Sequence, residues 1–118
     1  MRAPLSLALF VMPILLSMNA ASLARGAALR PDAPHVCEDC DEWNAPREPV
    51  RLFGNCYFVG TAGLSALLLT SPAGHILFDG GLPQSAARID ENIRKLGLRT
   101  EDIRLIVSSH THYDHVGG

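Results

Sequence analysis

The protein has 118 residues, of which 47% are hydrophobic and 19% are charged, and its formal net charge is −2. This composition is that of an ordinary globular chain with one domain at most. A charge so small and so mixed in sign argues against nucleic acid or an anionic surface as a partner.

The first 24 residues have the pattern of a secretory signal peptide. A basic residue, Arg2, precedes an apolar run at residues 5–16, and small residues follow. The run is shorter than the roughly 20 residues that span a bilayer, which argues against the alternative of an uncleaved membrane anchor. We predict cleavage after Ala24, with Ala20 or Ala21 as alternative sites, and export to the periplasm.

Residues 25–51 read as an extended arm that lies over a domain. The segment is rich in proline, which removes backbone donors and interrupts both helix and sheet, and it contains an acidic run at residues 38–42. Its single tryptophan, Trp43, has two interpretations. The ring could line a substrate groove, or it could pin the arm to the domain.

Three strands are predicted next, at residues 55–60, 65–71 and 75–81. The first alternates and is aromatic, the second is a solid apolar run, and the third ends in Asp79 and two glycines. Turn residues at 60–63 and 72–74 predict an antiparallel meander.

A helix and a final strand follow the meander. Pro83 suits a first helical turn and Gly97 suits a left-handed helix end. The residues between them form one apolar stripe at helical spacing, namely Ala86, Ile89, Ile93 and Leu96. Residues 102–109 alternate and predict a buried strand, so that the order is β-β-β-α-β within an α/β fold.

The chain closes with a cluster of metal-ligand residue types in the stretch "SSHTHYDHVGG". Imidazole nitrogen and carboxylate oxygen are the usual zinc ligands of hydrolases. Alternation points His110 and His112 the same way, so that both can reach one metal. Asp114 and His115 come after the chain has turned and can serve a second metal close by. The alternative is a solvated loop that is histidine-rich by chance.

Three polar residues outside the cluster have weaker assignments. His35 and His75 are isolated and are interpreted as surface or strand residues rather than ligands. Asp79 either orients a ligand histidine from behind or makes the turn before two glycines.

The three cysteines leave more than one pairing open. Behind a signal peptide the compartment is oxidising, so Cys37 and Cys40 predict a short-loop disulfide. Alternatives are a bond to Cys56 or to a cysteine beyond residue 118. Cys56 could equally be a small buried apolar residue.

The pattern H-x-H-x-D-H after a strand resembles the signature of the metallo-β-lactamase superfamily. The wider text, including "WNAP", "GNCYFVGTAGLSALLLTSPAGHILFDGGLPQSA" and "EDIRLIVSSHTHYDHVGG", closely resembles subclass B3 metallo-β-lactamases from about residue 37 to residue 118. This resemblance implies an αββα sandwich with a two-zinc site. Residues 52–118 would be the N-terminal part of such a domain, which would be truncated at residue 118.

The resemblance also implies roles for the clustered residues. His110 and His112 would bind the first zinc, and Asp114 and His115 the second. Asp114 would also orient the hydroxide that attacks the β-lactam carbonyl, and the resemblance favours the orienting role for Asp79. Each zinc would need one more histidine downstream, so the fragment itself is expected to be inactive.

The expected partner is a small β-lactam, with no nucleic acid, no membrane after signal cleavage, and a monomeric state. An exported two-zinc lactonase or thioester hydrolase is the alternative enzyme. A non-catalytic, truncated metal-binding product is the third alternative.

Overall fold

The computed structural model describes residues 32–118, so the signal-peptide prediction and the first residues of the arm lie outside the described residues. The elements in chain order are α1 (Cys40–Trp43), β1 (Val50–Phe53), β2 (Cys56–Phe58), β3 (Leu67–Leu69), β4 (His75–Phe78), α2 (Ser85–Lys95), a 3-10 turn (Thr100–Asp102), β5 (Ile103–Val107) and α3 (Tyr113–Val116). Within this part of the chain, no helix is long and apolar enough to cross a membrane.

The strands form one mixed sheet in the order β1-β2-β3-β4-β5. Strands β1 to β4 are antiparallel neighbours, whereas β4 and β5 are parallel because α2 provides the crossover between them. The α/β class and the antiparallel meander are therefore confirmed. The parallel pair also brings the carboxyl ends of β4 and β5 to the same edge of the sheet.

Helix α2 covers one face of the sheet through the apolar stripe that the sequence predicted. Ile89 and Ile93 are buried against a core made by Val59, Ala66, Leu68 and Leu77. The helix ends at Lys95, and Gly97 two residues later has a φ of +74°. The amides of Gly97 and Leu98 donate to the carbonyls of Arg94 and Ile93, the hydrogen-bond pattern of a Schellman cap.

Strand β1 was missed by the sequence reading, which placed residues 25–51 in an irregular arm. Val50 to Phe53 pairs with β2 through a tight turn at Gly54 and Asn55, where Gly54 has a φ of +54°. A Gly-Asn pair between two short strands is a hairpin signal. The prolines before it outweighed that signal in the prediction.

The prediction that residues 102–109 form a buried strand was correct for the strand and wrong for its burial. Leu105 and Ile106 are 51% and 59% exposed, and only Ile103 packs against the core. The reason is position, because β5 is the last strand of the sheet in the described residues.

The described part of the arm is not wholly extended, because it contains the short helix α1. A disulfide joins Cys37 to Cys40 at the start of α1, and Cys56 is a half-buried free thiol in β2. The arm adheres to the loop after β2. Thr61 Oγ1 donates to the Trp43 carbonyl at 2.6 Å, and the Gly63 amide donates to the same oxygen at 3.1 Å.

Candidate metal centre

The three clustered histidines lie together at the carboxyl end of β5. The ring centroids of His110 and His112 are 4.2 Å apart, and those of His110 and His115 are 5.3 Å apart, both with edge-to-face geometry. The histidine side chains lie at the protein surface, with His110 and His112 exposed. The fold therefore gathers the imidazoles that the sequence places within six residues.

Asp114 and His115 present two ligand atoms side by side. The Asp114 Oδ2 and His115 Nε2 atoms are 3.4 Å apart. Two ligands that are each about 2.0–2.1 Å from a tetrahedral zinc lie roughly 3.3–3.4 Å from one another. The spacing of this pair thus fits two corners of one zinc tetrahedron.

Asp79 supports this pair from the end of the neighbouring strand. Its Oδ2 lies 3.0 Å from His115 Nδ1, and its two oxygens accept hydrogen bonds from the Ser109 amide at 2.7 Å and the Ser109 hydroxyl at 2.5 Å. Asp79 itself has a φ of +60°, a left-handed conformation that Asp tolerates better than most residues. Asp79 therefore both forms the turn after β4 and orients His115.

The hydrogen bonds around Asp79 keep its carboxylate charged. Burial acts to raise the pKa of Asp79, but the hydrogen bonds from Ser109 and His115 outweigh it, so that the net pKa is lowered. An ionised carboxylate can only accept, so His115 Nδ1 must carry the proton that points at it. The lone pair of His115 then lies on Nε2, the atom beside Asp114.

The contacts of Ser109 indicate a supporting role rather than that of a nucleophile. Its hydroxyl hydrogen is directed at Asp79 Oδ2, while its Oγ lies 3.2 Å from His115 Nδ1, the nitrogen that carries a proton. The imidazole therefore offers Ser109 no lone pair that could remove its proton. The role of Ser109 in holding Asp79 was not predicted from the sequence.

No group of three or more His, Cys, Asp or Glu side chains within residues 32–118 is arranged to hold one metal ion. Asp114 and His115 instead place two donor atoms side by side, which is the arrangement expected if one ion takes two ligands from this stretch. The donor set of three imidazoles and one carboxylate fits zinc better than calcium or magnesium, which prefer oxygen ligands.

The two glycines after Asp79 allow the loop after β5 to approach the sheet closely. The Gly80 amide donates to the His115 carbonyl at 2.8 Å, and a side chain on Gly80 would meet the Gly118 backbone at 2.9 Å. Gly81 has a φ of +68°. The "DGG" stretch was therefore the signal in the sequence for close contact between the turn after β4 and the loop after β5.

The remaining candidate residues lie in other surroundings. His75 begins β4 and is buried, and its Nδ1 accepts from the Ser71 amide at 3.3 Å, so it is a strand residue as expected. Trp43 is half-buried in α1, and its ring lies against Gly63, where an added Cβ would come within 2.8 Å of Trp43 Cδ1. These contacts support the pinning interpretation of Trp43.

Comparison with known proteins decides the family. The model of the metallo-beta-lactamase superfamily matches residues 50–118, more than half of the chain. The chain belongs to this superfamily. The match includes the whole sheet and the histidine cluster that follows it.

Solved structures of metallo-β-lactamases resemble the chain closely. A subclass B3 metallo-β-lactamase from a soil metagenome library is 56% identical, with a TM-score of 0.63 over 64% of this chain and 29% of that structure. The Rm3 metallo-β-lactamase is 58% identical, with a TM-score of 0.66 over 69% of this chain and 30% of that structure. The resemblance to subclass B3 and the fold class are confirmed.

A second kind of hydrolase also matches part of the chain. An N-acyl homoserine lactonase of Bacillus cereus is 32% identical, with coverage of 43% of this chain and 30% of the lactonase. The chain thus spans about 30% of the length of these relatives.

Proposed function

We propose that these residues belong to a zinc-dependent hydrolase that cleaves the β-lactam amide bond. His110 and His112 bind one zinc ion, and Asp114 and His115 bind a second. Zinc lowers the pKa of a bound water to about 7 and polarises a carbonyl oxygen. We also propose that residues 1–24 direct export to the periplasm, where a β-lactam would be met.

The observation that carries the proposal is the arrangement of Asp114, His115 and Asp79. Asp79 holds His115 in the tautomer that leaves Nε2 free, and Asp114 Oδ2 lies 3.4 Å from that nitrogen. Carboxylates behind metal-bound histidines fix ring orientation and raise ligand basicity. The second oxygen of Asp114 would accept a hydrogen bond from the attacking water and so orient it toward a substrate carbonyl.

The choice of substrate rests on similarity. The solved structures that match at 56% and 58% identity are metallo-β-lactamases, whereas the lactonase matches at 32%. The higher identity favours β-lactam hydrolysis. Lactone hydrolysis is the second candidate, and the lactonase relative is the observation that supports it.

The test compares hydrolysis of nitrocefin with hydrolysis of an N-acyl homoserine lactone by the zinc-loaded intact protein. Nitrocefin turnover that disappears on chelation and returns with zinc is expected. The combined Asp114→Ala and His115→Ala variant should lose turnover by at least about a hundredfold, while Thr111→Ala, between the two histidines of the first pair, serves as the control. Turnover of the lactone alone would favour the second candidate. Full nitrocefin turnover by the double variant would refute the roles proposed for Asp114 and His115.

We further propose that the 118-residue chain by itself is inactive, because within residues 32–118 no three His, Cys, Asp or Glu side chains are arranged to hold one metal ion. Zinc-dependent nitrocefin hydrolysis by that chain would contradict this. If the chain were a non-catalytic product that folds poorly, circular dichroism would show no cooperative melting with or without zinc.

A further inference from the structure

The N-terminal arm contacts helix α3 through a pair of aromatic rings. His35 stacks on Tyr113, with ring centroids 3.7 Å apart and an interplanar angle of 29°. Tyr113 is the first residue of α3, which carries Asp114 and His115. The arm therefore makes direct contact with the element that presents the second pair of ligands.

A side-chain amide fixes the position of His35. The His35 amide donates to Gln84 Oε1 at 3.0 Å, and Gln84 Nε2 donates to the His35 carbonyl at 2.8 Å. Both hydrogen-bonding groups of the Gln84 amide are used on one residue that is 49 positions away in the sequence. Such a two-point contact orders the backbone at His35 and so sets where its ring can lie.

Pro83, the residue before Gln84, lies against the end of α3. A side chain added to Gly117 would come within 2.4 Å of Pro83 Cδ. Gln84 therefore contacts the arm at His35, and Pro83 contacts Gly117 at the end of α3. The two neighbouring residues fix one partner of the aromatic stack and lie against the end of the helix that carries the other.

Helix α3 has only four residues and depends on such external contacts. Isolated helices of this length are unstable in water. Its internal bonds run from the Val116 amide to the His112 carbonyl and from the Gly117 amide to the Tyr113 carbonyl. Covering one face of Tyr113 with a ring of fixed position restrains the first turn, from which Asp114 and His115 project.

We propose that His35 and Gln84 are positioning residues that hold α3, and through it Asp114 and His115, in the ligand geometry. The part of the proposal that concerns zinc rests on the proposed function. The part that concerns the order of α3 does not. His35 acts through the face of its ring and not as a metal ligand.

The experiment measures zinc affinity and amide hydrogen exchange in the intact protein. His35→Ala and Gln84→Ala should each weaken zinc binding, measured by chelator competition, by about twofold to tenfold, the range that an aromatic pair contributes. The amides of Val116 and Gly117 should exchange faster by a similar factor without zinc. The buried Val59 amide, which donates to the Ala66 carbonyl between the end of β2 and the start of β3, should not change.

Two further variants separate stacking from other effects. His35→Phe keeps a flat ring without a nitrogen ligand and should restore both readouts toward the unmodified protein. Val36→Ala changes a neighbouring arm residue that is 89% exposed and serves as the control.

Each outcome decides the proposal. Unchanged α3 exchange in both His35→Ala and Gln84→Ala would overturn it, and so would His35→Phe that behaves like His35→Ala. Faster α3 exchange in a protein that binds no zinc at all would leave the positioning role supported and would refute the proposed function instead. A change confined to zinc affinity, with α3 exchange unaltered, would identify His35 as a ligand and overturn the stacking role.

Discussion

Asp79 and His115 join the ends of two parallel strands through one hydrogen bond, with Asp79 Oδ2 3.0 Å from His115 Nδ1. Asp79 directly follows β4, and the loop that leads to His115 follows β5. A parallel pair of strands ends at one edge, so these residues meet although 36 positions separate them. The sheet thereby controls which nitrogen of His115 carries the proton.

Replacement of Asp79 by Asn should disturb that control with little change in shape. An amide can direct its NH₂ group at His115 Nδ1, which would move the imidazole proton to Nε2, where it blocks metal binding. We expect a loss of about tenfold to a hundredfold in zinc affinity. Chelator competition measures it, with Asp39→Asn, an exposed carboxylate that caps no helix amide, as the control. Wild-type affinity in Asp79→Asn would contradict the tautomer argument.

Asn92 is a buried polar residue whose replacement should destabilise the fold without a direct effect on the site. Its Nδ2 lies 2.9–3.1 Å from the carbonyl oxygens of Arg47, Val59 and Gly60, which links α2 to the arm and the sheet. Asn92→Leu would leave buried carbonyls without a donor, at about 1–3 kcal/mol in the free energy of unfolding. Urea denaturation measures this. The same substitution at exposed Asn55 should have a clearly smaller effect, and equal losses at both positions would refute the argument.

Most of the sheet and of the helix could be predicted from the sequence because their signals are local. The stripe at Ile89 and Ile93 and the left-handed end at Gly97 each depend on neighbours within a few residues. Strand β1 was missed because the prolines before it suggested an arm. The exposure of β5 was missed because a pattern of alternation cannot show which strand lies at an edge.

The candidate site could also be predicted only in part. The spacing of His110, His112, Asp114 and His115 predicted their proximity, and the structure gathers them. The contacts of His35 with Tyr113 and Gln84 could not be predicted, because they join positions far apart in the sequence and no pattern of residue types marks them. His35 was interpreted as a surface or strand residue because it is isolated in the sequence.

Trp43 allows a test of the two roles considered for it. The Trp43 carbonyl accepts from Thr61 and Gly63, and its ring lies on Gly63, so the ring should pin the arm. Trp43→Ala should lower the free energy of unfolding by about 1–2 kcal/mol, since a half-buried aromatic surface is lost. The KM for nitrocefin should stay within about twofold. A raised KM with unchanged stability would instead support the groove-lining role.

The contacts of Asp90 predict that the free energy of unfolding depends on pH in the acid range. The Arg94 guanidinium, with Nε 2.9 Å from Asp90 Oδ2, and the Thr100 hydroxyl hold the pKa of Asp90 below its ordinary value of 3.8. Because the folded pKa is the lower one, the contribution is complete above the ordinary carboxyl range. It is lost as the pH falls through the folded pKa.

The Asp90→Asn variant should therefore be less stable than the unmodified protein at pH 7, and the difference should shrink as the pH is lowered below about 4. Its size should stay below about 1 kcal/mol, because the side chain is 38% exposed and solvent screens the ion pair. Urea denaturation at pH 7, 5 and 3 measures the difference. Glu91→Gln, which removes only the longer exposed contacts to Arg88 at 3.5 Å and Lys95 at 3.4 Å, is the matched control. A difference that widens toward acid would mean that the contacts of Asp90 favour its protonated form, the opposite of what the Arg94 and Thr100 geometry implies.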